Sequence, residues 1–277
     1  MAISNFIPTI WSENLLTSLD KKYVGVANCN RDFEGEIKNK GSVVKICGVG
    51  KINVNDYTKD SDMSAPQALS DTVQELCIDQ AKFFNFQIDD VDRAQCSPKL
   101  MDLAMSSAAA SIADVADKYV YSLYTNSATT VKHPNMSDGN LISTIIKARQ
   151  ALYENGVFDS SDVVLEISPA VAAALIQEKI TLTNDSNCFE NGYLGSVAGC
   201  KVFVSNNIAK TTASTLNTYK CIMRSKRAIA FAEQLSEIDA YRPEKRFADA
   251  VKGLHLYGAK VVYPNEMVTL DITGNVA

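Results

Sequence analysis

Residues 97–126 read SPKLMDLAMSSAAASIADVADKYVYSLYTN, and the rest of the chain is organised around this stretch. Ser97-Pro98 supplies a hydroxyl able to cap free N–H groups and a ring pre-set for the first helical turn. Neither Pro nor Gly follows until Pro134. Leu100, Leu103, Ala104, Ala108, Ile112, Val115, Tyr119 and Leu123 recur three or four residues apart and so share one face, while Asp102, Asp114, Asp117 and Lys118 fall mostly off it. The spacing predicts an amphipathic helix over 97–126. At a rise of about 1.5 Å per residue it is a rod of roughly 40 Å, more than twice the usual length of about 11–12 residues. Ala108, Ala109 and Ala110 thin its middle, where another element can approach closely.

The segments before this spine are extended. In residues 28–88, Gly35, Gly41, Gly48 and Gly50 punctuate short β-rich runs, Ser42–Ile46 and Ile52–Val54, and Val73–Ile78 supplies a return strand. Together they predict a long β-hairpin with a polar tip at about 58–70, where Lys59, Asp60 and Asp62 leave too little apolar surface for a core. A two-stranded ribbon is marginal alone in water and needs a surface to lie on. Residues 1–27 form an N-terminal arm in which Trp11, Leu15, Leu16 and Leu19 are spaced for one helical face after Pro8. Trp11, the only tryptophan, is expected to be buried against its own subunit or a neighbour.

After the spine, residues 128–137 form a polar connection. A helix is predicted over 140–155 with Gly156 closing it, then a buried strand Val163–Ile167, a helix restarted by Ser168-Pro169, and a strand Lys201–Val204. Short strands at 221–223, 228–232, 238–241, 254–263 and 267–272 finish an α+β chain.

Composition removes several function classes. Hydrophobic residues at 46% and charged residues at 21% suit a folded domain, and no apolar run approaches the length of a membrane span. A net charge of −5 argues against a basic nucleic-acid clamp, although not against lining a space that holds DNA. MAISNFIPTIW lacks a basic region followed by an apolar core, so a cytosolic origin is expected, and the seven cysteines are read as free thiols. Chemistry is sparse. His133 lies in a polar loop and His255 in an alternating strand, neither with a nucleophile or ligand at motif spacing. Asp89, Asp90 and Asp92 lack the glycine and distal glutamate of a calcium loop, and Gly48-Val49-Gly50 lacks the third glycine of a dinucleotide fingerprint. No catalytic, cofactor or metal residue is assigned. The mixed-sign run Arg242, Glu244, Lys245, Arg246 is either a solvated face or a partner-selecting one, since complementary charges fix register across an interface.

The order of parts resembles that of the major capsid proteins of tailed bacteriophages. The resemblance is carried by Asn30–Glu36 with Gly41–Ile46, by Phe84–Asp92, by Gly195–Asn206, which looks like a Gly-rich turn into a strand ending Ser-Asn, and by Phe247–Leu254 with Leu256–Val261. It implies a Hong Kong 97-type fold: arm 1–27, extended loop 28–88, peripheral domain 89–134 holding the spine, axial domain 135–235 and return strands 236–277. It further implies a homo-oligomer of hexamers and pentamers forming an icosahedral shell around double-stranded DNA, built in the host bacterial cytoplasm. Portal and decoration proteins are implied partners. With no long helical prefix before Ile3, a separate scaffolding protein is expected instead of a fused one. The subunit-interface candidates are Trp11, Arg31, Asp32, Glu34, Glu36, Tyr57, Lys59, Asp60, Asp62, Arg242, Glu244, Lys245 and Arg246. Two alternatives remain: an encapsulin-like nanocompartment of the same fold, and a cytosolic thiol hydrolase using Cys200 and His255.

Overall fold

A computed structural model describes residues 22–33, 43–49, 54, 56, 59, 71–89, 100–159, 162–178, 193–213, 216–244 and 247–275. Among the described residues, three helices, α1 (Leu100–Ser122), α2 (Leu141–Glu154) and α3 (Pro169–Gln177), accompany twelve strands. These are β1 (Val43–Val49), β2 (Asp71–Cys77), β3 (Gln80–Asp89), β4 (Thr129–His133), β5 (Val163–Ile167), β6 (Tyr193–Val197), β7 (Cys200–Val204), β8 (Lys210–Ala213), β9 (Leu216–Ser225), β10 (Ile229–Tyr241), β11 (Ala248–Val261) and β12 (Met267–Asn275).

The strands make a hairpin β1-β2, a three-stranded sheet β10-β11-β3, and a larger sheet ordered β4-β12-β9-β5-β7-β6 with β8 beside β9. β10 and β11 run together for most of their length, interrupted by a register shift between Leu235 and Glu237, so the separate short strands expected at 228–232 and 238–241 are one bulged strand. The polar connection expected at 128–137 contains β4, which lies parallel to β12. β12 was expected to return to the spine's own unit with 236–277. Instead it pairs with β9 and β4 in the large sheet, because Met267, Val268, Leu270 and Ile272 are all buried and that core has room for them. The turn between β6 and β7 places both Ala198 and Gly199 at positive φ, the geometry that a two-residue hairpin connection demands.

The spine is an α-helix over Leu100–Ser122 that tightens into a 3-10 turn over Leu123–Asn126; residues 97–99 lie outside the described residues. Its buried face differs from the expected one. Met105, Ala109, Ile112, Ala113, Ala116, Asp117, Val120 and Tyr121 are buried; of the expected face Ile112 is buried and Ala108, Tyr119 and Leu123 pack against the core, whereas Leu103 is 66% and Val115 38% exposed. The helix is turned by roughly a third of its circumference, because its alanines let strands and chain approach its axis closely. α2 follows the predicted pattern: Leu141, Ile145, Ala148 and Leu152 are buried, and Gly156 at φ +85° closes the helix, with Gly156 N–H donating to Tyr153 O and Val157 N–H to Leu152 O. α3 begins at Pro169, with the Ser168 hydroxyl accepting from Val171 N–H.

The hairpin finds part of its surface at home. Val44, Ile46, Leu76 and Ile78 pack with Ala230, Ala232, Leu256 and Val262 on the subunit's own three-stranded sheet. Most of the tip at 58–70 lies outside the described residues; Lys59 is exposed. Gly258 of β11 is what lets the ribbon lie so close, since a Cβ there would sit 2.3 Å from the Cys77 carbonyl oxygen and 3.1 Å from Ile78 Cα. Replacing Gly258 by Ala is therefore expected to cost about 1–3 kcal/mol, read as a lower urea midpoint. An unchanged midpoint would show that the hairpin base does not rest on β11.

Candidate assembly surfaces

Residues 22–31 cross from one sheet to the other as a strap, held by two polar nodes. At the first, Arg224 on β9 and Glu166 on β5 are both fully buried and meet through Nε–Oε2 at 3.0 Å and Nη2–Oε1 at 3.1 Å. The remaining guanidinium donors go to the strap: Nη1 donates to Asn28 O at 2.7 Å and Nη2 to Gly25 O at 3.0 Å. Asn28 Nδ2 donates to Glu166 Oε1 at 3.2 Å. Asp117 of α1 completes the node by accepting the Val24 and Val26 N–H groups, each at 3.0 Å. Burial alone would lower the Arg224 pKa, but the Glu166 carboxylate and its hydrogen bonds hold the guanidinium charged. Burial pushes the Asp117 carboxyl up to about 6, against the pull of the Val26 and Val24 N–H groups.

At the second node, the Glu233 carboxylate on β10 accepts from Tyr23 Oη at 2.5 Å, Arg31 at 2.6 Å and His255 Nε2 at 2.9 Å. Burial opposes its charge, yet the hydrogen bonds from His255 and Tyr23 hold the carboxyl below its ordinary value. Asn30 pairs with this strand through its main chain, N–H to Ile229 O and O to Phe231 N–H, each at 2.9 Å. Spine, large sheet and small sheet are thus tied to one short run of chain. The sequence held a signal for the first node: a lone Glu inside the apolar run VVLEI and a lone Arg ending the strand core CIM are charges placed where strands are buried on both sides.

The predicted interface residues separate accordingly. Arg31 is spent on Glu233 of its own chain, and Arg242 lies 3.3 Å from Asp249. Asp32, Lys59 and Glu244 are exposed. Trp11, Glu34, Glu36, Tyr57, Asp60, Asp62, Lys245 and Arg246 lie outside the described residues. The thiol-hydrolase alternative fails on geometry. Cys200 starts β7 in the large sheet, whereas His255 sits on β11 in the small one with Nε2 engaged by Glu233, and burial pushes the Cys200 thiol up to about 11, leaving little thiolate.

Among the described residues, grouped apolar side chains are exposed on two surfaces. A trough of about 760 Å³ runs between β3 and α1, walled by Phe84 and Phe86 on one side and by Ala104, Ala108 and Ser111 on the other. Among the described residues β3 is also the edge of its sheet, paired with β11. On the far unit Ile146, Tyr153 and Phe158 are exposed, with Tyr153 stacked on Phe158 and the Arg149 guanidinium 4.2 Å over the Tyr153 ring. Grouped exposed apolar side chains of this kind are candidates for contact with another surface.

A family profile described as phage capsid protein matches residues 74–270. The chain belongs to the phage capsid protein family. Among solved structures, that of Mycobacterium phage Che8 is similar at 27% identity and TM-score 0.69 over 90% of each chain. The capsid of cyanophage P-SCSP1u matches at 14% identity and TM-score 0.66, over 90% of this chain and 86% of that one. A virus-like particle from Pyrococcus furiosus matches at 12% identity and TM-score 0.55, over 95% and 99%. Comparison with curated protein sequences returned no match. The fold is the Hong Kong 97-type capsid fold, and family membership implies a shell of repeated subunits and a place in the virion capsid.

Replacing Arg224 by Leu strands Glu166 without its cation, at an expected cost of about 3–5 kcal/mol, and adding Glu166→Leu should restore part of that loss in chemical denaturation. Asp117 makes a pH signature. Its folded carboxyl takes up a proton at about 6 and its unfolded one near 3.8, so the native state binds that proton first and gains stability as pH falls. Relative to Asp117→Asn, the wild type should gain about 2 kcal/mol between pH 6.5 and pH 4, measured as the pH dependence of the stability difference between the two proteins.

Proposed function

We propose that this chain is the tile of an icosahedral phage shell, arranged in hexamers and pentamers around double-stranded DNA, and that it works without a catalytic site. The observation that carries the reading is the capsid fold matched over 90% of both this chain and its Che8 relative. Physical support comes from the strap, which fixes the angle between the two sheets, and from the trough and aromatic patch, which leave apolar surface for neighbours. In this reading α1 and the small sheet are the peripheral unit, and α2, α3 and most of the large sheet are the axial unit near 135–235. Hairpin residues 50–70 reach a neighbouring subunit. Trp11, Asp32, Glu34, Glu36, Tyr57, Lys59, Asp60, Asp62, Glu244, Lys245 and Arg246 lie at contacts between copies. Arg31 serves the subunit's own second node first, and Arg242 pairs with Asp249 at the exposed surface. Assembly takes place in the bacterial cytoplasm with a separate scaffolding protein, and a portal and decoration proteins complete the particle.

The likeness to the Pyrococcus furiosus virus-like particle favours a second reading, a nanocompartment of the same fold. The contents of purified particles discriminate: DNA for a capsid, a cargo protein for a compartment.

Negative-stain microscopy of the expressed chain, alone and with candidate scaffolding proteins, is expected to show closed shells; only monomers and small oligomers in every mixture would refute the assembly reading. Deleting Thr58–Leu69 should abolish shells while leaving the thermal unfolding of the subunit within a few degrees of wild type. Normal shells from the deletion would remove the hairpin from the assembly mechanism.

A further inference from the structure

We propose that Arg149, on α2, is the centre of a binding site for a small free oxyanion of the phosphate or sulfate class, covered by the stacked rings of Tyr153 and Phe158. The inference goes beyond the shell reading and does not depend on it.

Among the described residues two arginines are withdrawn from water, and their surroundings differ. Arg224 has the Glu166 carboxylate on Nε and Nη2 and strap carbonyls on its remaining donors. Arg149 is 2% exposed, and its Nε, Nη1 and Nη2 are all buried without a hydrogen-bond partner. Among the described residues no carboxylate pairs with it. A buried lysine or histidine can shed its proton, whereas an arginine keeps its charge. The cost of desolvating that charge stands until an anion meets it.

The neighbours of the guanidinium select the kind of anion. Its Cζ lies 4.2 Å over the Tyr153 ring, which stabilises the cation through the ring face and leaves the N–H groups, all in the guanidinium plane, to other acceptors. Cys200 is close enough to feel the charge, but burial outweighs that pull and pushes the thiol up to about 11, so it is not a counter-charge. The paired N–H groups along one edge of a guanidinium match two oxygens of a single phosphate or sulfate as a bidentate fork, a fit that spherical chloride lacks.

Access restricts the size of the ligand. With each nitrogen covered, a phosphate held in a DNA backbone or a carboxylate on another protein surface has no path to the fork. A free ion needs only a small opening. Tyr153 and Phe158 are 41% and 72% exposed and stack at 6.2 Å with 22° between their planes, so the cover is itself at the surface. A change of Tyr153 rotamer uncovers the guanidinium, and its return encloses the ion where the low dielectric strengthens the pair. The helix beneath stays fixed, because Leu141, Ile145, Ala148 and Leu152 anchor α2 in the core.

The test is equilibrium dialysis of the full chain against phosphorus-33-labelled inorganic phosphate in Tris buffer free of other oxyanions, with ionic strength held by sodium chloride. The wild type is expected to bind a single phosphate per chain, which sulfate displaces and further chloride does not. Arg149→Met, which keeps most of the side chain's length and removes the charge, should bind none. Lys201→Gln, exposed on β7, should bind as the wild type does. Urea unfolding gives an independent readout: once phosphate exceeds its dissociation constant, each tenfold rise should raise the wild-type folding constant about tenfold, with Arg149→Met unresponsive. Should Arg149→Met fail to fold, Arg149→Lys keeps the charge without the fork and should bind several-fold more weakly. No phosphate bound by the wild type, displacement by chloride as readily as by sulfate, or equal binding by the wild type and the Arg149 variants would each overturn the proposal. Shells formed by a chain that binds no phosphate sink this inference alone, and phosphate bound by a chain that never assembles sinks the shell reading alone.

Discussion

The ion pair of Arg224 and Glu166 is the constraint on which the rest of the subunit depends. Two charges withdrawn completely from water are costly unless their geometry is good and their remaining donors and acceptors are met. Here the fork is bidentate, and the guanidinium's spare N–H groups are aimed at Asn28 O and Gly25 O. The sheet alone cannot satisfy this arginine, so the strap must be in place. Asp117 imposes the same condition from the other side, since it is buried and its acceptors are met by strap N–H groups. Polar groups in the middle of a core give direction where apolar contacts give only cohesion. The angle between the two sheets follows from where these few bonds can be made.

The ionisable groups that look chemical in isolation are consumed by this architecture. Tyr23, Glu233 and His255 lie within hydrogen-bonding distance in an arrangement that resembles a catalytic relay, yet Arg31 also closes on the carboxylate and the main chain of Asn30 pairs with Ile229 and Phe231 on the same strand. Cys29 and Cys221 are buried, and desolvation raises their thiols to about 11 and about 12. A subunit whose work is to hold shape uses its titratable groups as joints. Among the described residues, the apolar surface it leaves exposed is grouped at the β3–α1 trough and the Tyr153–Phe158 pair.

Much of the fold was legible in the sequence because its signals are local. Pro169 starting a helix, Gly156 ending one, and the alternation that separates hairpin from spine all depend on neighbours a few residues away. The failures share a different cause. Leu103 and Val115 were assigned to the core by periodicity, but which face of a helix is buried depends on what packs there, and the alanines at 109, 113 and 116 admitted a closer partner than leucine would allow. β4 hid in a polar stretch because its strand pairing is supplied by β12, more than a hundred residues later. The strap was invisible for the same reason. Asn28, Asp117, Glu166 and Arg224 sit in four separate segments, and only the assembled core makes them a unit.

The distances along the chain that the strap closes carry a consequence for how the molecule comes to exist. Gly25 meets Arg224 across 199 residues, and Tyr23 meets Glu233 across 210. Contacts so remote in sequence form late and slowly, because the loop entropy is spent before they can form. Asp117 is there for Val24 and Val26 early, but a ribosome must deliver the chain through Arg224 and Glu233 before residues 22–31 can close on both nodes. Until then the nascent chain is an unfinished object, with its two sheets not yet set at their working angle. The clasp is in effect a timer: the joint between the units sets only once Arg224 and Glu233 have been made, which separates the manufacture of a tile from its use.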